Sequence, residues 1–137
     1  MLAALQNPLA LVGRILLAVL FVPAGLGKIT DFAGSVGYAT AMGLPLPTAG
    51  VAMGLVIELV GGLALLVGFG TRFAALALAV FSLTAAAFFH AYWAVPVEQQ
   101  MMQQLMFFKN LAIAGGLLAF VAFGPGAWSV DGARSRR

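Results

Sequence analysis

Residues 49–69 read AGVAMGLVIELVGGLALLVGF. This run holds five glycines and a single ionisable side chain, the carboxylate of Glu58. A helix of this length rises ~1.5 Å per residue and spans about 30 Å, the thickness of a hydrocarbon bilayer core. It has no polar face to turn toward water. The run therefore predicts a membrane-spanning helix, and the carboxylate near its middle becomes a candidate functional group, because an ionisable residue at that depth is costly to keep.

Working outward, three more segments have the same character: residues 9–27, 72–92 and 105–123, beside the second span at 49–69. The 137-residue chain is 63% hydrophobic and 8% charged, against about 25% charged in ordinary soluble domains. So few charges could not cover the surface of a small soluble protein, and lipid is the implied solvent. The expected fold class is an all-α membrane protein: one domain over 1–137, a four-transmembrane-helix antiparallel bundle. A cleaved signal peptide is the alternative for 9–27, but the cleavage pattern is poor and its removal would leave three spans.

The connections differ in kind. GFGTR (68–72) is a tight turn, so the second and third helices are antiparallel neighbours. Residues 28–48, with Gly34, Gly37, Gly43, Pro45 and Pro47, form a longer link with room for a short interfacial helix. WAVPVEQQMMQQ (93–104) opens on a proline turn and then reads as polar turns leading into the fourth helix. GGLALLVGFG (61–70) and GGLLAFVAFG (115–124) align without gaps and suggest a parallel pseudo-repeat; the blander reading is that Gly and Leu are common in membrane helices.

Charge sets orientation and excludes some functions. The net charge is +3, and Arg134, Arg136 and Arg137 lie in the last four positions. No basic patch interleaves with exposed aromatics, so nucleic acid is not the expected partner; membrane lipid is. Arg72 and the C-terminal arginines share a side with the termini, with Arg14 close to it, while Lys28 and Lys109 lie on the other. The positive-inside rule then predicts both termini in the cytoplasm, in a bacterial inner membrane. There is no cysteine, which removes disulfides, thiolate metal sites and thiol relays from consideration. His90, the only histidine, cannot complete a metal site alone, so no metal is expected.

The polar residues of the spans are few: Arg14, Lys28, Glu58, His90, and Lys109 with Asn110. Side chains lean toward the N-terminus of their helix, which predicts an outward-facing pocket with Glu58 at its floor and Lys28, His90, Lys109 and Asn110 around its mouth. The axial gap from Glu58 to Lys109 is roughly 8 Å by helix rise, suited to a water or a ligand between them. Alternatives stand beside each assignment. Arg14 either snorkels to the cytoplasm or reaches up to Glu58. Glu58 either handles protons or forms a structural ion pair. Lys28 and Lys109 either face the pocket or snorkel to headgroups. His90, next to Tyr92 and Trp93, fits an aromatic belt. Gly50 and Gly54 form a GxxxG pair, and Gly61, Gly62, Gly115 and Gly116 are further candidates for close helix packing.

These residues carry a resemblance. RILLAVLFVPAGLGKITDFAG (14–34), MGLPLP (42–47), IELVGGLALLVGFGTRFAALAL (57–78), FFKNLAIAGGLLAF (107–120) and GPGAWSVDG (124–132) occur in an order similar to that of the DoxX family of small four-helix membrane proteins. The resemblance covers nearly the whole chain and implies recurrent polar positions at Arg14, Lys28, Glu58, Lys109, Asn110, Ser129 and Asp131. Arg72 stands in the matching Thr-Arg turn and, with Arg14, Ser129 and Asp131, is expected to be structural. Better understood relatives are subunits beside oxidoreductases, including a thiosulfate:quinone oxidoreductase and a complex with superoxide dismutase and a sulfurtransferase. The resemblance thus implies a membrane subunit or anchor of an oxidoreductase complex, without a catalytic residue of its own, possessing a site for a quinone and partnered by an oxidoreductase subunit or by further copies of itself. A non-redox binding or transport protein for a small or lipid-like molecule, and an assembly scaffold, are the competing readings.

Overall fold

The computed structural model describes residues 2–135. Arg136 and Arg137, used above for orientation, lie outside the described residues. The chain runs α1 (Leu2–Thr30), α2 (Phe32–Ala41), α3 (Pro47–Val56), a π-helical turn (Ile57–Gly61), α4 (Gly62–Val67), α5 (Thr71–Phe89), a 3-10 turn (Tyr92–Ala94), α6 (Val97–Phe123) and α7 (Val130–Arg134). The described residues contain no strand. Four helical stretches are long and apolar enough to cross a membrane: Ala4–Thr30, Pro47–Val67, Thr71–Ala94 and Val97–Phe123. The protein is an all-α membrane protein with four spans.

The boundaries follow local chemistry. Pro47 sits at the first turn of α3, where its missing N–H costs nothing. Leu46 just before it takes a positive φ of 52°, a strained conformation for a residue with a Cβ. The turn between α4 and α5 places Gly68 at φ 73° and Gly70 at φ 54°, so GFG reverses the chain without strain. Helix α6 starts directly after Pro96, and the VEQQMMQQ segment is already helical, which makes the fourth span longer than its apolar stretch. In the 28–48 link, Asp31 caps α2 by accepting from the Gly34 N–H at 2.9 Å.

The core is small and nearly half alanine: Phe21, Leu65, Ala75, Leu78, Ala79, Ala114 and Leu117. Most large apolar side chains point away from it, as expected where lipid rather than water is outside. Helix α1 packs along α3, the π turn and α4, and α5 packs along α6 and against the π turn and α4. The packing of α3 on α5 is sparser and includes Phe81 against Gly54.

The end that carries the termini is stitched by polar contacts. Arg14 is 1% exposed and donates from Nη1 to the Leu66 carbonyl at 2.8 Å and from Nη2 to the Trp128 carbonyl. It neither snorkels to the cytoplasm nor reaches Glu58. The carbonyls that end α4 attract a cation more strongly than distant water does, because they are the negative end of a helix dipole. Asp131 does the converse at the start of α5. Its carboxylate accepts from the Gly70 N–H at 2.9 Å, the Thr71 N–H at 2.8 Å and the Thr71 hydroxyl at 2.9 Å. Ser129 caps α7 by accepting from the Gly132 N–H at 3.0 Å, and Asn7 Oδ1 accepts from the Ala127 N–H at 2.7 Å. Arg72 donates to the Val121 and Ala122 carbonyls at 2.8 and 3.1 Å, neutralising the end of α6.

Candidate functional site

The π turn is where the site begins. It inserts one extra residue per turn into the second span at Ile57–Gly61, and such insertions bend a helix and re-aim its side chains. Glu58 lies on this turn and is 5% exposed. Two close approaches bring α1 onto it. A Cβ added at Gly25 would stand 3.0 Å from the Leu59 backbone nitrogen, and one added at Gly62 would stand 2.9 Å from Val22 Cγ2. Only glycine at both positions lets the helices come this near.

That contact sets the register of Lys28. Arg14, Ala18, Phe21 and Gly25 are buried on one face of α1, spaced by four, three and four residues. The next position on the same face is Lys28. Its Nζ lies 2.6 Å from Glu58 Oε2, an ion pair and hydrogen bond in one. The Lys28 side chain keeps 25% of its surface exposed and the Glu58 side chain 6%, so the carboxylate is the deeper partner.

A cavity of about 600 Å³ opens beside this pair. Its volume is within the usual range for sites that hold small molecules. Leu20 and Phe21 of α1, Val51 and Met53 of α3, and Phe81 and Phe88 of α5 give it apolar walls. Lys28, Asp31, Glu58, Ser82, His90 and Asn110 are among its polar points. Across the end farther from the termini, Tyr38 of α2 stacks on Phe89 of α5 with ring centroids 5.7 Å apart. The cavity lies between α1, α3 and α5 on the Lys28 side of the bend at Glu58, where α3 packs only sparsely on α5.

Of the residues singled out in the sequence, Glu58, Lys28, His90 and Asn110 line this one space. Lys28 does more than ring the mouth, since it contacts Glu58 directly. Lys109 is not among the lining residues and is exposed on α6. One residue along a helix rotates the side chain by about 100°, so Asn110 turns inward while its neighbour turns out. Asn110 Nδ2 donates to the Met106 carbonyl at 3.0 Å. His90 Nδ1 lies 2.8 Å from Gln103 Oε1 and joins the end of α5 to α6, near a cluster of Tyr92, Trp93, Phe107 and Phe108.

The glycines divide. Gly50, Gly54, Gly61 and Gly62 would each bring an added Cβ within 3.1 Å of Leu44, Phe81, Leu78 and Val22 respectively. Gly115 and Gly116 meet nothing within 4 Å, so the close packing expected of them is not made in this chain. The 61–70 and 115–124 segments therefore share sequence but not surroundings. Sequence reasoning missed the π turn, Asp31, Tyr38 and Ser82. The glycine pair three residues after Glu58 was the available signal, since it frees the backbone for close contact just where the bend occurs.

Against known proteins, the profile of the DoxX family matches residues 9–91. The chain belongs to the DoxX family. The matched segment contains Arg14, Lys28 and Glu58, so both members of the ion pair fall within it. Asn110 and Asp131 lie beyond it. The chain is 47% identical over 129 residues to the inner membrane protein YqjF of Escherichia coli strain K12, covering 93% of this chain and 92% of that protein. It is 32% identical over 128 residues to the inner membrane protein YphA of the same organism, covering 93% and 91%. No solved structure matches. Inner-membrane relatives matched over more than nine-tenths of their length, together with four apolar spans, make this DoxX protein an integral membrane protein.

Proposed function

We propose that this protein is an inner-membrane subunit that binds a small, largely apolar molecule of the quinone class beside a partner oxidoreductase. The observation that carries this reading is the cavity of about 600 Å³ at the bend of the second span, with the Lys28–Glu58 ion pair in its wall. An apolar slot with a few fixed polar groups is what a ring compound with carbonyl oxygens requires. The residues present fit such a group. Phe21, Phe81 and Phe88 offer apolar surface to the ring, and Lys28 retains N–H donors for a carbonyl oxygen. When bound, a quinone would supply the capacity to accept electrons and protons. This chain's residues would hold and orient it, and Glu58 is placed to take or give a proton at its free carboxylate oxygen. Having no cysteine, the chain offers no thiol for the redox step, so the electrons come through the partner.

The placement extends to orientation. With Arg72 and Arg134 at the end that carries the termini, that end faces the cytoplasm and the Lys28–Glu58 end faces the periplasm. The inner-membrane location of the two relatives supports the choice of membrane.

The deciding experiment is gentle extraction of the tagged protein from its own membrane, followed by native mass spectrometry. Co-purification of a quinone or of an oxidoreductase subunit is the expected result. A chain carrying only phospholipid, alone or as a homo-oligomer, would overturn the redox reading and leave lipid-like binding or assembly as the function.

A further inference from the structure

The sparse packing of α3 on α5 leaves the cavity open within the span. Helix α5 packs closely on the π turn and on α4 and meets α3 through Phe81 against Gly54; on the Lys28 side of that contact a seam remains between α3 and α5. Met53 and Gly54 line it from α3, and Phe81, Thr84 and Phe88 line it from α5. Met53 is 63% exposed and Phe88 39%, and both lie inside membrane-spanning segments. Side chains that line a cavity and also face outward at that depth connect it to lipid. At the far end, by contrast, α2 lies across the bundle with Tyr38 stacked on Phe89.

The charges on the cavity wall restrict the head of whatever enters. They are Lys28, Glu58 and Asp31. Lys28 and Glu58 neutralise each other, and Asp31 leaves the set with one net negative formal charge. An anionic head would add a second negative charge in a region of low dielectric, at a cost a neutral head avoids. The pair also presents a donor and an acceptor side by side. An ammonium has three N–H groups, of which Glu58 takes one, and Glu58 Oε1 has no hydrogen-bond partner among the described residues. A carbonyl oxygen can accept from the first and a hydroxyl can donate to the second.

We propose that the cavity takes a neutral, bilayer-dissolved molecule, with a carbonyl or hydroxyl head on an apolar body, and that this molecule enters sideways through the seam between α3 and α5. This rests on the reading of the cavity as a ligand site and adds the route of entry and the charge of the head.

The test uses the full chain in phosphatidylcholine nanodiscs with two radiolabelled probes, decylubiquinone as the neutral head and hexadecyl sulfate as the anionic one. The wild type is expected to retain decylubiquinone and not hexadecyl sulfate. Met53→Trp and Thr84→Trp each fill the seam without touching Lys28 or Glu58. Both are expected to slow uptake and release of decylubiquinone by about tenfold. A damaged site would instead speed release. Leu63→Trp, on an exposed face of α4 outside the cavity, is expected to exchange at the wild-type rate. Thermal unfolding shows which variants are folded, and either seam variant alone carries the test. Wild-type exchange in a folded seam variant overturns the lateral route while leaving the ligand site intact. Preferential retention of hexadecyl sulfate overturns the assignment of the head. Retention of neither probe by the wild type overturns the proposal together with the ligand-site reading beneath it.

Discussion

Arg14 and Lys28 stand on one face of α1, about four turns apart, and the fold uses the two cations in opposite ways. Arg14 is spent on backbone carbonyls at the end of α4 and on Trp128, with no ion pair to a carboxylate among the described residues. Lys28 is spent on a buried carboxylate beside a cavity. The first contact closes one end of the bundle. The second sits where the bundle opens.

The Lys28–Glu58 pair is expected to respond asymmetrically to mutation. Lys28→Met strands the deeper partner, a carboxylate 6% exposed, and a buried charge left unpaired costs about 3–5 kcal/mol. Glu58→Gln leaves an ammonium that can still reach water and is expected to cost about 1–2 kcal/mol. Thermal unfolding of both variants in nanodiscs checks the order. Equal losses would mean the carboxylate is not the buried member.

Glycine substitutions along α1 should separate contact from propensity. Gly25→Ala drives a methyl against the Leu59 backbone, 3.0 Å away, and backbone cannot swing aside. The expected loss is about 1–3 kcal/mol, along with reduced ligand retention as Lys28 is levered off Glu58. Gly27→Ala, with nothing within 4 Å, should be neutral or stabilise by up to about 1 kcal/mol. A Gly25→Ala variant as stable as wild type would remove the close approach from the account of the site.

Arg14→Lys keeps the charge and loses the fork. A single ammonium cannot serve the Leu65, Leu66 and Trp128 carbonyls with the geometry of a guanidinium. A loss of about 2–4 kcal/mol is expected, and hydrogen exchange should rise first in residues 124–135, which Arg14 holds through Trp128.

Asp131 carries a pH dependence with a definite sign. Burial pushes its carboxyl up, but the Thr71 and Gly70 N–H groups, the Thr71 hydroxyl and nearby Arg134 together outweigh this and hold it below its ordinary value. A carboxyl whose folded value is depressed stabilises the fold above its unfolded value of about 3.9, and that stability is lost as pH falls through the folded value. Wild type should therefore lose stability below about pH 4 through this group. Asp131→Asn should be less stable at neutral pH by about 1–2 kcal/mol and lack that part of the acid transition. Parallel acid titrations of the two proteins, followed by circular dichroism, measure the difference.

Lys109, although next to Asn110, is expected to be replaceable. It is exposed on α6, so Lys109→Gln should change stability by less than about 0.5 kcal/mol and leave ligand retention unchanged. Asn110→Leu removes a polar point from the cavity wall and should weaken retention of a carbonyl-bearing probe. The reverse pattern would place Lys109, not Asn110, at the ligand.

The sequence by itself determined the solvent and the number of spans. A chain 63% hydrophobic and 8% charged can only be covered by lipid, and once backbone polar groups must be satisfied without water, long apolar runs become helices. It also named the residues worth following, because ionisable groups are rare and costly inside a span. What it could not fix is which of those residues meet. Helical spacing set Lys28 and Lys109 at similar depths, and only the packed bundle decided that one pairs with Glu58 while the other faces away. The deciding features were a one-residue insertion at Ile57–Gly61 and two glycine contacts between α1 and the second span. Each depends on what another helix brings alongside. Depth is a property of one helix and can be read along the chain, whereas azimuth and contact belong to pairs of helices and arise only when they pack.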